Sequence, residues 1–382
     1  MLQSCLVYIF LAFVMSVCSV IASYRERKMC FVSGGVRHLS FAYPEIIVMI
    51  LSFAVIFGCR YNVGVDYPHY LDAYLWGTDR DYEPLFGFIT DTMSKNGIHY
   101  AVYFSLWAFI ECFLLFYTLK NQRYLFPYIV FFLIFGSYYL SMMNVIRQQL
   151  AACIFLYSLH YVDNKNVFKY YFLLLIALLF HKSAIILIII YPLFQIKKDW
   201  FYRYWIQYAL LAIAVFLSTQ YDLVVKSVSK AFELFTGTLE YENYAAGILY
   251  NEKLNSANQF GNNTGVGIFI NIFIDASIIA YSKSMKKYYD SSFFSILYSL
   301  WFVRIMADFI VGDSIILNRP FVYFYNIKMI ILAYFAYYCI KTRRWLPQLL
   351  VLIIFMLHIA MFVNMQSNGV INTSRFSFFW QN

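Results

Sequence analysis

Apolar runs of about 20 residues recur along almost the whole chain, and short polar connections separate them. A bilayer core about 30 Å thick requires helices of this length, so the pattern predicts membrane-spanning helices. About twelve are predicted, at residues 2–22, 40–58, 99–119, 124–142, 146–162, 167–180, 183–196, 204–219, 264–282, 291–311, 320–340 and 346–364. Two connections are longer than a plain turn and cover about residues 59–98 and 220–263.

Composition points to the same class of protein. Hydrophobic residues make up 62% of the 382 residues and charged residues 13%, whereas about a quarter of a soluble protein is charged. No Pro/Gly/Ser-rich or highly charged linker divides the chain, so residues 1–382 are expected to form a single transmembrane domain. The predicted fold class is therefore all-α, a polytopic integral membrane helical bundle.

Charge predicts which connections share a side of the membrane. Lysine and arginine are concentrated in short connections such as 25–28, 197–203, 283–287 and 341–344, which marks these as cytoplasmic. Both long connections and both termini are then expected to be extracytoplasmic, with most of the acidic residues. The formal net charge of +9 suits anionic lipid headgroups and gives no argument for nucleic acid.

Polar and aromatic residues gather in four predicted outward segments. The members are Arg60, Asp66, Tyr67, Tyr70 and Glu83 in the first long loop, Arg147 and Gln148 in a short connection, His181 and Lys182 in a tight turn, and Arg319 before a late helix. Arginine forks match phosphate oxygens, so a cationic cup at the lipid boundary suits an amphiphile with a phosphate head. Aromatic rings beside carboxylates suit sugars.

Other kinds of site are not indicated. The sequence has no Gly-rich phosphate loop and no paired-acid pattern for a divalent metal, so no metal and no cofactor is predicted. The candidate residues also have plain structural explanations. A helix-end arginine such as Arg147 commonly reaches phospholipid headgroups, and the turn at His181 and Lys182 is typical of an interfacial anchor. The residues alone leave these alternatives open.

Ionisable residues inside predicted helices form a separate set. They are Glu45, Glu111, Asp275, Arg304, Asp308 and Lys328. Such residues are costly in lipid and usually face a partner or a wet cavity. Arg304 and Asp308 are four residues apart, which favours an internal ion pair, and a transport path is the alternative.

Four short motifs follow one another between about residues 59 and 195. They are Arg60-x-x-x-Gly64-x-Asp66-Tyr67-x-x-Tyr70, Glu83-Pro84, Ile146-Arg147-Gln148-Gln149 and Phe180-His181-Lys182-Ser183-Ala184. In this order and spacing they resemble the EpsG family of bacterial exopolysaccharide membrane proteins, which belongs with Wzy-type O-antigen and capsule polymerases. Val65 stands where the first motif commonly has threonine, a mild departure.

The resemblance implies a glycosyltransferase that uses a polyprenyl-pyrophosphate-linked glycan as donor. Such polymerases join undecaprenyl-pyrophosphate-linked repeat units on the outer face of the bacterial inner membrane. The implied partners are these lipid-linked oligosaccharides and membrane lipid, together with a chain-length regulator and a flippase. The sequence leaves open whether the product is O-antigen, capsule or exopolysaccharide.

The same resemblance suggests a role for each candidate residue. Arg147, with Arg60 and Arg319, is expected to stabilise the charge that develops on the departing pyrophosphate. His181 or Asp66 is expected to orient or deprotonate the acceptor hydroxyl. The remaining candidates are expected to contact the sugars or the phosphate, and they are Tyr67, Tyr70, Glu83, Gln148 and Lys182.

Two other functions are compatible with the sequence. A lipid-linked oligosaccharide flippase or another transporter would place its charges at the bilayer midplane and would show repeated halves, and no convincing repeat is visible. A membrane acyltransferase would place its catalytic histidine within a helix or on the acyl-donor side, and His181 in a tight turn does not discriminate strongly.

Overall fold

The apolar runs form α-helices in the computed structural model, which describes residues 2–33, 40–77, 82–220, 266–311, 318–367 and 376–381. The helices are α1 (Leu2–Ser33), α2 (Pro44–Gly58), α3 (Tyr67–Trp76), α4 (Pro84–Lys95), α5 (Tyr100–Thr118), α6 (Phe126–Phe135), α7 (Tyr139–Asn144), α8 (Ile146–Asp163), α9 (Val167–Phe180), α10 (Ile190–Ile196), α11 (Tyr204–Ser218), α12 (Val266–Tyr289), α13 (Ser292–Val311), α14 (Tyr325–Lys341) and α15 (Trp345–Ser367). Two-residue strands, β1 (Arg60–Tyr61) and β2 (Ser377–Phe378), form an antiparallel pair.

Within the described residues, α1, α5, α12, α13 and α15 are long and apolar enough to cross a membrane. Shorter apolar helices include α2, α9 and α11. The chain is therefore an all-α membrane protein, and the finer figure of about twelve spans stays a prediction.

Several predicted helices differ from the observed ones at their ends. The first helix continues through the basic stretch 24–28 to Ser33, about ten residues beyond its predicted end. The predicted helix 124–142 is broken, because α6 ends at Phe135 and Ser137 takes a positive φ of 59° before α7 begins. The predicted helix 183–196 starts as a 3-10 segment, Lys182–Ile189, and becomes α-helical at α10.

The first long connection is partly helical rather than a plain loop. Pro68 lies in the first turn of α3, and Gly77 ends that helix in the left-handed region at φ 71°. Pro84 then occupies the first position of α4. The second long connection, predicted at 220–263, lies outside the described residues except for its first residue.

The helices pack into two compact units. The first unit is Met1–Leu193 with Met329–Asn382, and the second is Phe194–Lys328. In the first unit, α2 packs on α1 and α5, and α8 packs on α5 and α9. In the second unit, α13 packs on α11 and α12. A single transmembrane domain stays a prediction beside this division.

The two strands hold distant parts of the first unit together. β1, directly after α2, pairs with β2 near the end of the chain. The backbone N–H of Phe376 donates to the hydroxyl of Ser4 at 2.8 Å. Ser4 and Phe376 therefore lie at the same end of this unit as the start of the first long connection.

Candidate functional site

The carboxylate of Glu83 is the centre of a polar cluster in the first unit. Its Oε2 accepts a hydrogen bond from the guanidinium of Arg147 at 2.6 Å. Its Oε1 lies 3.0 Å from Nδ1 of His181 and accepts the backbone N–H of Lys182 at 3.1 Å. The Glu83 side chain is 4% exposed, so one buried carboxylate joins the starts of α4 and α8 to the turn after α9.

Local sequence explains how three separate elements meet at this carboxylate. Pro84 disfavours the helical conformation for Glu83, which is extended at φ −59° and ψ 150°. Arg147 lies in the first turn of α8. His181 ends α9 with an extended backbone, at φ −158° and ψ 120°, and the chain turns there into the 3-10 segment. We define these three residues, Glu83, Arg147 and His181, as the Glu83 cluster.

The Glu83 carboxyl is ionised at neutral pH. Burial raises its pKa, but the hydrogen bond with His181 and the charge of Arg147 outweigh burial and lower the pKa to about 2. The ionised carboxylate stabilises the guanidinium of Arg147 and holds Nδ1 of the His181 imidazole. The imidazole side chain keeps 21% of its surface exposed.

Two tyrosines complete the surroundings of Arg147. Its guanidinium carbon lies 4.9 Å from the centre of the Tyr82 ring, a cation–π distance. The Tyr70 hydroxyl is a further hydrogen-bond partner of Arg147, and burial raises the pKa of Tyr70 to about 12. Asp66 precedes Tyr70 by one helical turn, and its backbone carbonyl accepts the Tyr70 N–H at 3.1 Å. The charge of the Asp66 carboxylate also raises the pKa of Tyr70. Tyr70 thus links Asp66 to the Glu83 cluster.

The Arg60 side chain forms hydrogen bonds with backbone carbonyls inside the first unit. Its side chain is buried, and Nε donates to the carbonyl of Val63 at 3.1 Å. One terminal nitrogen donates to Met143 at 2.9 Å and the other donates to Phe57. These bonds fasten the chain after α2 to the end of α7. Contact with a phosphate would require them to break, so we infer that Arg60 positions the first connection.

Asn144 is a structural partner of the same connection that the sequence motifs do not single out. Its Oδ1 accepts the backbone N–H of Val65 at 2.8 Å, and its Nδ2 donates to Leu140 at 3.0 Å. Gly64 has a φ of +110°, and a Cβ there would lie 2.6 Å from Asn144 Oδ1. The glycine in the first motif is therefore required both by backbone conformation and by this close approach.

The other predicted residues have different surroundings. Tyr67 is 1% exposed and stacks on Phe104 with 4.8 Å between ring centres, so its ring is a core element in this arrangement. Gln148 is buried beside Arg147 in α8, whereas the Lys182 side chain is exposed. Arg319 is an exposed residue of the second unit. The structure thus brings Asp66, Tyr70, Glu83, Arg147, Gln148, His181 and Lys182 to one region of the first unit.

The sequence motifs did not single out Tyr82 as a residue of the site. Its position immediately before the Glu83-Pro84 pair is the signal that could have identified it.

Within the described residues, no group of three or more His, Cys, Asp or Glu side chains could hold a metal ion.

Comparison with known proteins supports the grouping of these motifs. The model of the EpsG family matches residues 46–378, which is most of the chain and includes every predicted site residue. No curated protein and no solved structure gives a significant match. A family match over this length is decisive, and the chain belongs to the EpsG family.

Proposed function

We propose that this membrane protein is a polymerase of bacterial surface polysaccharide, which joins undecaprenyl-pyrophosphate-linked repeat units on the extracytoplasmic face of the inner membrane. The observation that carries the proposal is the Glu83 cluster, which holds an arginine and a histidine side by side at one end of a membrane helical unit. Membership of the EpsG family, which is associated with polysaccharide polymerases, supports it.

The proposed reaction is one glycosyl transfer. The bond between the anomeric carbon of the donor glycan and its pyrophosphate oxygen breaks, and the electron pair leaves with the lipid pyrophosphate. Arg147 stabilises that charge through the guanidinium N–H groups that Glu83 does not occupy. A bond forms between the anomeric carbon and a hydroxyl of the acceptor repeat unit, and Nε2 of His181 accepts the hydroxyl proton.

Glu83 has a positioning role in this scheme, in place of the sugar contact expected from sequence. Both of its oxygens are occupied by Arg147, His181 and a backbone N–H, and little of its side chain is exposed. By fixing Nδ1 of the imidazole, Glu83 sets which nitrogen faces the acceptor. The pairing also limits the guanidinium to one orientation.

Residues around the cluster are assigned to the substrate. Asp66 remains the alternative base, because the charge of its carboxylate acts on Tyr70, which is a hydrogen-bond partner of Arg147. The exposed amine of Lys182 is assigned to phosphate, and Gln148 is assigned to the region beside Arg147. Interaction with a chain-length regulator and a flippase belongs to the same proposal.

The test compares surface polysaccharide on gels from cells that carry the wild-type gene or single variants. Arg147→Ala and His181→Ala should each abolish long polymer and leave single repeat units, while the protein remains in the membrane. Arg25→Ala is a matched control, since Arg25 pairs with buried Glu45 at 2.7 Å about 30 Å along α1 from Ser4. Exposed His69 gives the histidine control.

Two outcomes would contradict the proposal. Normal polymer from both Arg147→Ala and His181→Ala would refute the site. Repeat units trapped on the cytoplasmic side would instead indicate a lipid-linked oligosaccharide flippase, the alternative function.

A further inference from the structure

The second unit contains a network of four charged side chains between three helices. In α13, Arg304 donates to Oδ1 of Asp308 at 2.5 Å. Lys328 of α14 lies 3.2 Å from Oδ2 of the same Asp308 and 3.5 Å from Asp275 of α12. Two cations therefore converge on one carboxylate, and one of them, Lys328, also lies near a second carboxylate.

This network lies in a costly environment. α12 and α13 are both candidate membrane spans, and the side chains of Asp275, Arg304 and Lys328 are 1%, 6% and 12% exposed. A charged residue within a span typically costs about 2.5–3.5 kcal/mol on insertion. A single ion pair would join two helices at lower cost, so four charges indicate a function beyond helix association.

Two buried polar atoms of this network lack hydrogen-bond partners within the described residues. They are Asp275 Oδ1 and Arg304 Nε. Asp308 is the most accessible member, with 27% of its side chain exposed. Each of its two oxygens contacts a different cation, as two oxygens of a phosphate group would. Asp308 therefore occupies the place where an entering anion would bind.

Neighbouring residues orient Arg304 and add positive charge. The second terminal nitrogen group of Arg304 donates to Oδ1 of Asn318 at 2.7 Å, which fixes the plane of the guanidinium. Arg319 follows Asn318 directly and has an exposed side chain. The Tyr325 ring lies 5.6 Å from the Arg304 guanidinium carbon. Without the carboxylate of Asp308, the site would present two desolvated cations against the single carboxylate of Asp275, and it would favour an anion that can accept from both cations.

We propose that Arg304 and Lys328 form a second anion site, which binds the diphosphate group of a polyprenyl-linked glycan after Asp308 swings away. The inference rests on the proposed polymerase function, because each linkage requires two lipid-diphosphate substrates, a donor and an acceptor. The Glu83 cluster, in the first unit, provides for one diphosphate, and this site in the second unit provides for the other. Two of the three helices that form this site, α12 and α13, are candidate membrane spans, which suits a diphosphate whose lipid tail lies in the bilayer.

The experiment is a titration of the full-length protein, in nanodiscs of zwitterionic lipid, with a short isoprenyl diphosphate. Wild type should bind two equivalents, and Arg147→Ala should bind one. In the Arg147→Ala protein, Asp308→Asn should bind the probe about tenfold more tightly, because the competing carboxylate is gone. Arg304→Lys keeps the charge but loses the fork, and it should bind about tenfold more weakly.

The outcomes separate this inference from the proposed function. If wild type binds no isoprenyl diphosphate, both fail. If wild type binds one equivalent and Arg147→Ala binds none, the second site alone is refuted. Unchanged or weaker binding by Asp308→Asn also refutes it, since a purely structural ion pair gives that result. Where Asp308→Asn does not fold, unchanged affinity in Arg304→Lys decides against the site. Equal competition by phosphatidylglycerol would refute its assignment to diphosphates.

Discussion

Replacement of Glu83 by glutamine tests whether the buried carboxylate holds the candidate site together. Glutamine has nearly the shape of the neutral acid, so Glu83→Gln removes the charge and leaves the volume. In the folded protein the pKa is about 2, against an ordinary value of 4.5. At about 1.4 kcal/mol per pKa unit, the charge on this 4%-exposed side chain stabilises the fold by ~3 kcal/mol at neutral pH.

The effect should depend on pH in a defined direction. Because the pKa of Glu83 is lowered by folding, its stabilisation is complete above about pH 4.5 and is lost as the pH falls toward 2. The difference in unfolding free energy between wild type and Glu83→Gln should therefore be constant from about pH 5 to 8. At pH 3 it should fall to roughly 1 kcal/mol.

Thermal unfolding of the detergent-solubilised protein measures this difference. Glu83→Gln should lower the melting temperature of this 382-residue protein by about 3–5 °C at pH 7 and should abolish long polymer in cells. Glu45→Gln is the matched control, because Glu45 is equally buried but its partner Arg25 is 42% exposed. The control should lose less than about 1 kcal/mol. A Glu83→Gln melting temperature within about 2 °C of wild type at pH 7 would refute the reasoning.

Three further changes test the support of the site. Gly64→Ala should reduce polymer and destabilise the protein by about 1–3 kcal/mol, since the added Cβ would meet Asn144 Oδ1. Gly97→Ala is the control: Gly97 has a φ of +65° but open space around it, so this variant should lower the melting temperature less. Arg60→Lys should lower both the melting temperature and polymer length, because a single lysine nitrogen cannot reach the three carbonyls that the guanidinium contacts. An unchanged melting temperature would argue against the positioning role of Arg60. On gels, Tyr82→Phe should preserve long polymer and Tyr82→Leu should reduce it, since the aromatic ring makes the cation–π contact with Arg147. Equal loss of polymer in both variants would contradict this role of the ring.

Local signals account for the parts of the fold that the sequence predicts well. The apolar runs at α5, α8 and α13 start and end within two residues of their predicted limits, because their periodicity is uninterrupted. The helices of the first connection were missed, although Pro68, Gly77 and Pro84 are recognisable start and stop signals. The high content of polar and aromatic residues in α3 and α4 favoured the interpretation of this segment as a loop.

The pairing within the site could not be derived in the same way. Glu83 meets Arg147 across 64 residues and the N–H of Lys182 across 99, and no local pattern encodes such contacts. The motifs include Glu83, Arg147 and His181, but they do not indicate that these side chains contact one another. The partners of Arg60 could not be predicted either. They are the backbone carbonyls of Phe57, Val63 and Met143, and a sequence motif gives no information on which carbonyls a side chain contacts.

The short β1–β2 pair has a consequence for biosynthesis. The hydroxyl of Ser377 donates to the carbonyl of Tyr61 across 316 residues, so this junction forms only after the ribosome has made the intervening chain. The first connection therefore reaches the membrane surface long before its partner strand exists. Nascent chains halted before β2 would carry inserted helices without this strand pair, so closure of the junction must wait until β2 has been synthesised.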